Sequence, residues 1–155
     1  DSGGFKRRFS TDTMTAQGDE SGHTPSRGEN FRARLVKEKP PLVEREMYLT
    51  TADWKDELRF LAWAREHGVI VVGGLPTVFD DTVLPDEVIP FLRDLYQKSG
   101  HCFLTLNNLG KYPRSDFYDN GYHLSEPYQI EHSLLVAAAL RAVAEHGCKA
   151  LGGQA

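Results

Sequence analysis

The stretch V-I-V-V-G-G-L-P, Val69 to Pro76, decides the fold. It is a short run of β-branched apolar residues, set between Gly68 and the pair Gly73-Gly74. A run of this length, bounded by glycines, reads as a parallel strand buried on both faces. Upstream, Trp54, Leu58, Leu61 and Ala62 stand at i, i+4, i+7 and i+8. That spacing gives an amphipathic helix which stops at Gly68. Thr50 with Asp53 supplies a start resembling a capping box. Downstream, Gly73 to Pro76 turn the chain out at the strand's C-terminal end.

A second helix carries Val88, Phe91, Leu92, Leu95 and Tyr96 on one side and stops near Gly100, with Pro85 and Pro90 near its start. Cys102 to Leu106, C-F-L-T-L, reads as a second buried strand. A last helix has Ser125 as N-cap, Glu126 in its first turn and Pro127 close to its first position. Ile130, Leu134, Ala137, Ala138 and Leu140 form its expected buried stripe, and Gly147 ends it. The order helix, strand, helix, strand, loop, helix implies right-handed crossovers and a parallel sheet covered by helices. A doubly wound sheet has about five strands. Two are evident here, so the chain reads as the C-terminal part of such an α/β domain.

The domain is expected over residues 41–150. Residues 1–40 read as a loop or disordered segment. The first part is rich in Gly, Ser, Thr, Asp and Arg without periodicity. Phe31 to Lys37 alternates weakly, as an edge strand would, and Pro40-Pro41 then breaks the chain.

Composition narrows the function classes. The chain has 155 residues, 40% hydrophobic and 26% charged, as an ordinary globular domain has. A net charge of -4 gives no electrostatic footprint for nucleic acid. No apolar run approaches the ~20 residues that span a bilayer. The two cysteines, Cys102 and Cys148, fit no metal spacing, and neither a metal nor a cofactor is expected. Free buried thiols are the plainer reading of the pair; a disulfide requires an oxidising compartment.

Parallel strands place their following loops at one edge of the sheet, where ligands of open α/β sheets bind. Gly73 to Asp81 and Asn107 to His123 are therefore expected to be neighbours. In the second loop His123 is the candidate general base, since a neutral imidazole can take and return a proton near pH 7. A carboxylate would fix its tautomer, and Asp119, four residues earlier, is within reach; Asp116 competes for that role. Asn107 and Asn108 are candidate oxyanion donors, against ordinary turn chemistry. Lys111 and Arg114 are candidate anchors for an anionic substrate, against solvated loop charges. A helix-entry loop with an incidental surface histidine is the bland alternative for the whole block.

At F-Y-D-N-G-Y-H-L-S-E-P-Y, Phe117 to Tyr128, the sequence resembles the last conserved block of the SGNH (GDSL-like) hydrolases. Within that superfamily it looks most like the cell-envelope branch of bacterial exopolysaccharide O-acetylation, related to the alginate and cellulose acetylation proteins. The resemblance spans roughly residues 45–146, and only the last block is specific. It implies a flavodoxin-like three-layer α/β/α fold with a parallel sheet, and Asp119 and His123 as catalytic residues. It further implies carbohydrate O-acetyl ester hydrolysis or acetyl transfer in the periplasm or cell envelope. The implied partners are a polysaccharide or acetylated sugar, and the N-terminal half of the fold or a membrane acetylation complex.

The chain departs from the pattern twice. Asp119 and His123 are one residue further apart than the commoner Asp-x-x-His. The Gly-Asp-Ser-type nucleophile turn is not evident; Asp1-Ser2-Gly3 shares its letters but follows no strand. A non-catalytic carbohydrate-binding or scaffolding module of a polysaccharide export complex is the alternative.

Overall fold

The computed structural model describes residues 22–44 and 54–151. The Thr50–Asp53 helix start and Ser2 lie outside them. The architecture is mixed helix and strand, with two small parallel sheets.

Helix α3, Lys55–Glu66, runs where its apolar spacing predicts. It ends as Gly68 takes φ +69°, a left-handed conformation that glycine adopts without penalty. Strand β1, Val72–Gly74, pairs in parallel with β3, Cys102–Leu104, in the register Val72 to Cys102, Gly73 to Phe103 and Gly74 to Leu104. Between them runs α4, Val88–Lys98. Its Val88, Leu92 and Tyr96, four apart, are buried with Leu61 of α3 and Phe103 of β3. Gly73 is dictated by this packing, since a Cβ there would sit 2.4 Å from the Tyr96 ring. The Tyr96 hydroxyl donates to Glu57 at 2.7 Å, so the polar tip of the buried ring is satisfied. His101, also buried, pins α3 to the sheet: its Nε2 lies 2.7 Å from the Leu61 carbonyl, and its Nδ1 accepts from the Val71 amide at 3.3 Å.

Helix α5, Glu126–His146, follows the loop. Ser125 has the extended backbone of an N-cap, but its hydroxyl donates to the Asp116 carbonyl at 3.0 Å and caps nothing. Cys102 and Cys148 form a disulfide, with Cα atoms 5.2 Å apart, which corrects the reading of them as free thiols. The bond fastens β3 to the end of α5, because α5 returns along the sheet and brings Cys148 over the strand.

Two expectations about burial fail for one reason. Val69 and Ile70 are 47% and 57% exposed, and the predicted stripe of α5 faces outward, Leu134 being 67% exposed. Among the described residues each sheet is two strands wide, so it covers only part of any helix laid across it. Helix α5 is apolar on more than one side, so its period does not select the face that packs.

The loops after β1 and β3 pair with each other. Strand β2, Val78–Phe79, is parallel to β4, Lys111–Tyr112. A second core forms on this ladder from Leu35, Phe79, Tyr112, Phe117 and Leu124. Its lid is helical where a loop and an edge strand were expected. Helix α1 is Pro25–Gly28, a 3₁₀ turn covers Glu29–Phe31, and α2 is Arg32–Lys37. Phe31 and Leu35, four apart, put one helical face on the core, which explains the segment better than alternation does.

Candidate active site

The site loop is closed by its own backbone. Phe117 and Leu124 form an antiparallel bridge, and the Tyr118 amide donates to the His123 carbonyl at 2.7 Å. Within that closure Asp119 and His123 meet. Asp119 Oδ1 lies 2.9 Å from His123 Nδ1, with the imidazole side chain 55% exposed and the carboxylate 29%.

Asn120 sets the arrangement. Its Oδ1 accepts from the Tyr122 amide at 2.9 Å, which fixes the amide's orientation. Its Nδ2 then donates to Asp119 Oδ1 at 3.1 Å and also lies 2.9 Å from His123 Nδ1. The carboxylate only accepts, so Nδ1 bonds Asp119 when it carries the proton, and in that tautomer Nε2 is the acceptor. Among the described residues, no hydroxyl is hydrogen-bonded to that nitrogen.

The N-terminal helices hold the loop from below. Arg34 donates to the Asp119 carbonyl. Glu38 accepts from the Gly121 amide at 3.1 Å. Gly121 is buried, and a Cβ there would press on the Phe79 ring at 3.0 Å. From the first loop, Thr77 Oγ1 donates to the Tyr122 carbonyl at 2.8 Å. The two loops expected to be neighbours are therefore joined at the site itself.

His123 lines a cavity of about 190 Å³ with His23, Thr77, Tyr122, Gln129, His132 and Ser133. No spacing places His23, His132 or Ser133 here: His23 lies in the segment read as loop, and His132 and Ser133 stand on the last helix away from its expected stripe. His23 Nδ1 lies 3.0 Å from Gln129 Nε2, and its ring sits 4.6 Å from Tyr118 and 6.3 Å from His123. His132 Nδ1 lies 3.0 Å from the Tyr112 hydroxyl, and burial lowers the basicity of its imidazole. Among the described residues, no group of His, Cys, Asp and Glu is arranged to hold a metal ion.

Asp116, the competing carboxylate, is turned elsewhere. It is buried, accepts from the Ser115 hydroxyl at 2.8 Å, and its charge raises the pKa of the Tyr128 hydroxyl. Arg114 is a clasp between layers. It donates to the carbonyls of Leu35 and Glu38 at 3.1 and 2.8 Å, pairs with Asp81 at 2.7 Å and lies 4.2 Å above the Phe79 ring. These contacts commit each of its three nitrogens to the fold. Asn108 accepts from the Gly110 amide at 3.1 Å, which is turn chemistry. Asn107, Asn108 and Lys111 line no part of the His123 cavity. Of the predicted site residues, Asp119 and His123 are thus brought together and the other four are not. No family model, curated protein or solved structure matches the sequence.

Proposed function

We propose that the chain provides the acid–base half of an SGNH-type acyl-transfer site, acting on acetyl esters of a carbohydrate as esterase or acetyltransferase. The observation that carries this is the Asp119 Oδ1 to His123 Nδ1 contact at 2.9 Å, beside a cavity that the imidazole lines. A carboxylate on Nδ1 leaves Nε2 to take a proton from an attacking hydroxyl and return it to the leaving alkoxide. Asp119 keeps that tautomer and stabilises the imidazolium that forms. The nucleophile is a serine outside the described residues or on another chain.

In this reading the parallel ladders belong to a flavodoxin-like three-layer fold. The Cys102–Cys148 disulfide supports a location in the periplasm or cell envelope, where such bonds persist.

The test is hydrolysis of p-nitrophenyl acetate, and acetate release from an acetylated polysaccharide, by the full chain and by His123→Ala and Asp119→Asn. His123→Ala should fall to the buffer rate, and Asp119→Asn should lose most of the activity. Equal rates above the buffer rate for His123→Ala and the parent would overturn the proposal; a parent at the buffer rate would mean that the serine comes from another chain. The exposed Tyr122 at the cavity mouth favours a second reading, a carbohydrate-binding module. Calorimetric binding of the acetylated polysaccharide without acetate release, unchanged in His123→Ala, would support it instead.

A further inference from the structure

Helix α5 has 21 residues, and Val143 is the one among them that is fully buried. His132, Val136 and Val143 share one side of it, and His132 and Val136 line a cavity with Gly73 of β1 and Leu104 of β3. At about 100° per residue, Leu134 stands about 180° away from all three. Leu134 is 67% exposed and Ile130 57%, and Ala137 and Ala138 on the next turn are exposed with them. Further strands in the sheet would add cover on the His132 side and leave this outer face open.

Ile130, Leu134, Ala137 and Arg141 follow one another at the alternating spacing of a helix–helix seam, and Glu131 flanks them. Glu131 and Arg141 are both exposed, and among the described residues neither forms an ion pair. The face is complementary to its own reverse. The pairs Leu134 with Ala137 and Ile130 with Arg141 share one midpoint, so a single antiparallel register sets Leu against Ala and Ile against the apolar stem of Arg. In that register Arg141 comes within one residue, about 1.5 Å along the axis, of the level of Glu131 on the second helix. The shared midpoint is also the middle of the helix. The overlap therefore runs over nearly its whole length, about 31 Å for 21 residues.

We propose that the outer face of α5 is the two-fold interface of a homodimer, with α5 of a second copy of the chain laid antiparallel upon it. Leu134 of each copy packs on Ala137 of the other, and Arg141 of each pairs with Glu131 of the other. Parallel pairing would bring Arg141 against Arg141 and Glu131 against Glu131, which repel. An anionic membrane surface fits the face less well than a second copy does. Glu126, Glu131 and Glu145 are exposed along the helix, and Arg141 is its one Lys or Arg. The inference does not depend on the acyl-transfer reading.

The test is sedimentation equilibrium of the full chain over a dilution series, under non-reducing conditions. The parent should pass from monomer to dimer as its concentration rises. Leu134→Arg should weaken the dimer by about tenfold or more, because it buries an unpaired charge. Arg141→Glu and Glu131→Arg should each weaken it by about tenfold, and the two together should restore it. All three positions are exposed in the monomer, so thermal midpoints measured at monomeric dilution should match the parent. A parent that stays monomeric at every concentration would overturn the proposal. Its binding to anionic lipid vesicles without a dimer would assign the face to a membrane instead. A dimer indifferent to Leu134→Arg, or a double reversal that fails to recover, would equally overturn it.

Discussion

Asp119 and His123 are adjacent because Asn120 and Gly121 turn the chain between them, and that turn was legible. An Asn-Gly pair after a carboxylate and before a histidine brings the two side chains to one side of a loop. What was not legible was the set of side chains that hold the loop in place. Arg34, Glu38 and His23 are each separated from the loop by long stretches of sequence, and no spacing rule connects them to it, whereas Thr77 belongs to the Gly73–Asp81 loop that was expected beside it. Arg114 shows the converse. Its residue type invites an anion, yet its contacts with Leu35, Glu38, Asp81 and Phe79 make it the fastening between α2 and the β2–β4 ladder. Replacing it by Lys keeps the charge and loses the planar fork, and should cost about 1–3 kcal/mol in urea unfolding. His132 sets a pH dependence. Burial lowers its folded value, so the unfolded chain takes up its proton first as pH falls. Its contribution to stability is complete above about pH 6.5 and is lost as pH falls towards the folded value. Urea midpoints for His132→Gln should vary less between pH 7.5 and pH 5, about the range over which a histidine titrates, than those of the parent.

The helices α3 and α4 were legible because each pairs a clean apolar stripe with a glycine stop. Strand β3 was legible in kind, while β2 and β4 are too short for any period to register. Helix α2 was misread for a related reason. With only Leu35 fully buried among its residues, one core contact fits two periods equally well. The elements are held by specific contacts that single changes should break. Gly73→Ala drives a Cβ into the Tyr96 ring, and overpacking of that sort costs about 1–3 kcal/mol, read as a lower thermal midpoint. The disulfide ties β3 to the end of α5 across a separation of 46 residues. Loop-closure entropy for that length corresponds to about 4 kcal/mol. Reduction, or Cys148→Ser with Cys102→Ser, should lower the unfolding free energy by roughly that amount, while an unchanged midpoint would show that the bond does not persist in solution.

At the scale of the whole molecule, the alternation of helix and parallel strand was correctly read. The expectation of strands buried on both faces was met at β3, whose Cys102, Phe103 and Leu104 are all buried, and not at β1. Burial on both faces needs a layer packed on each face, and β1, paired on one side among the described residues, is only partly covered. Val69 and Ile70 before it, and Ile130 and Leu134 on α5, are exposed. The Asp119–His123 pair sits on the loop that follows β4 and leads into α5, with the imidazole more than half exposed. The most direct measurement is therefore the ¹⁵N spectrum of the neutral His123 imidazole. The Asp119 contact predicts a protonated Nδ1 and an unprotonated Nε2, with the preference lost in Asp119→Asn. A native His123 carrying its proton on Nε2, or a spectrum unmoved by Asp119→Asn, would contradict the assignment of this pair as an oriented base.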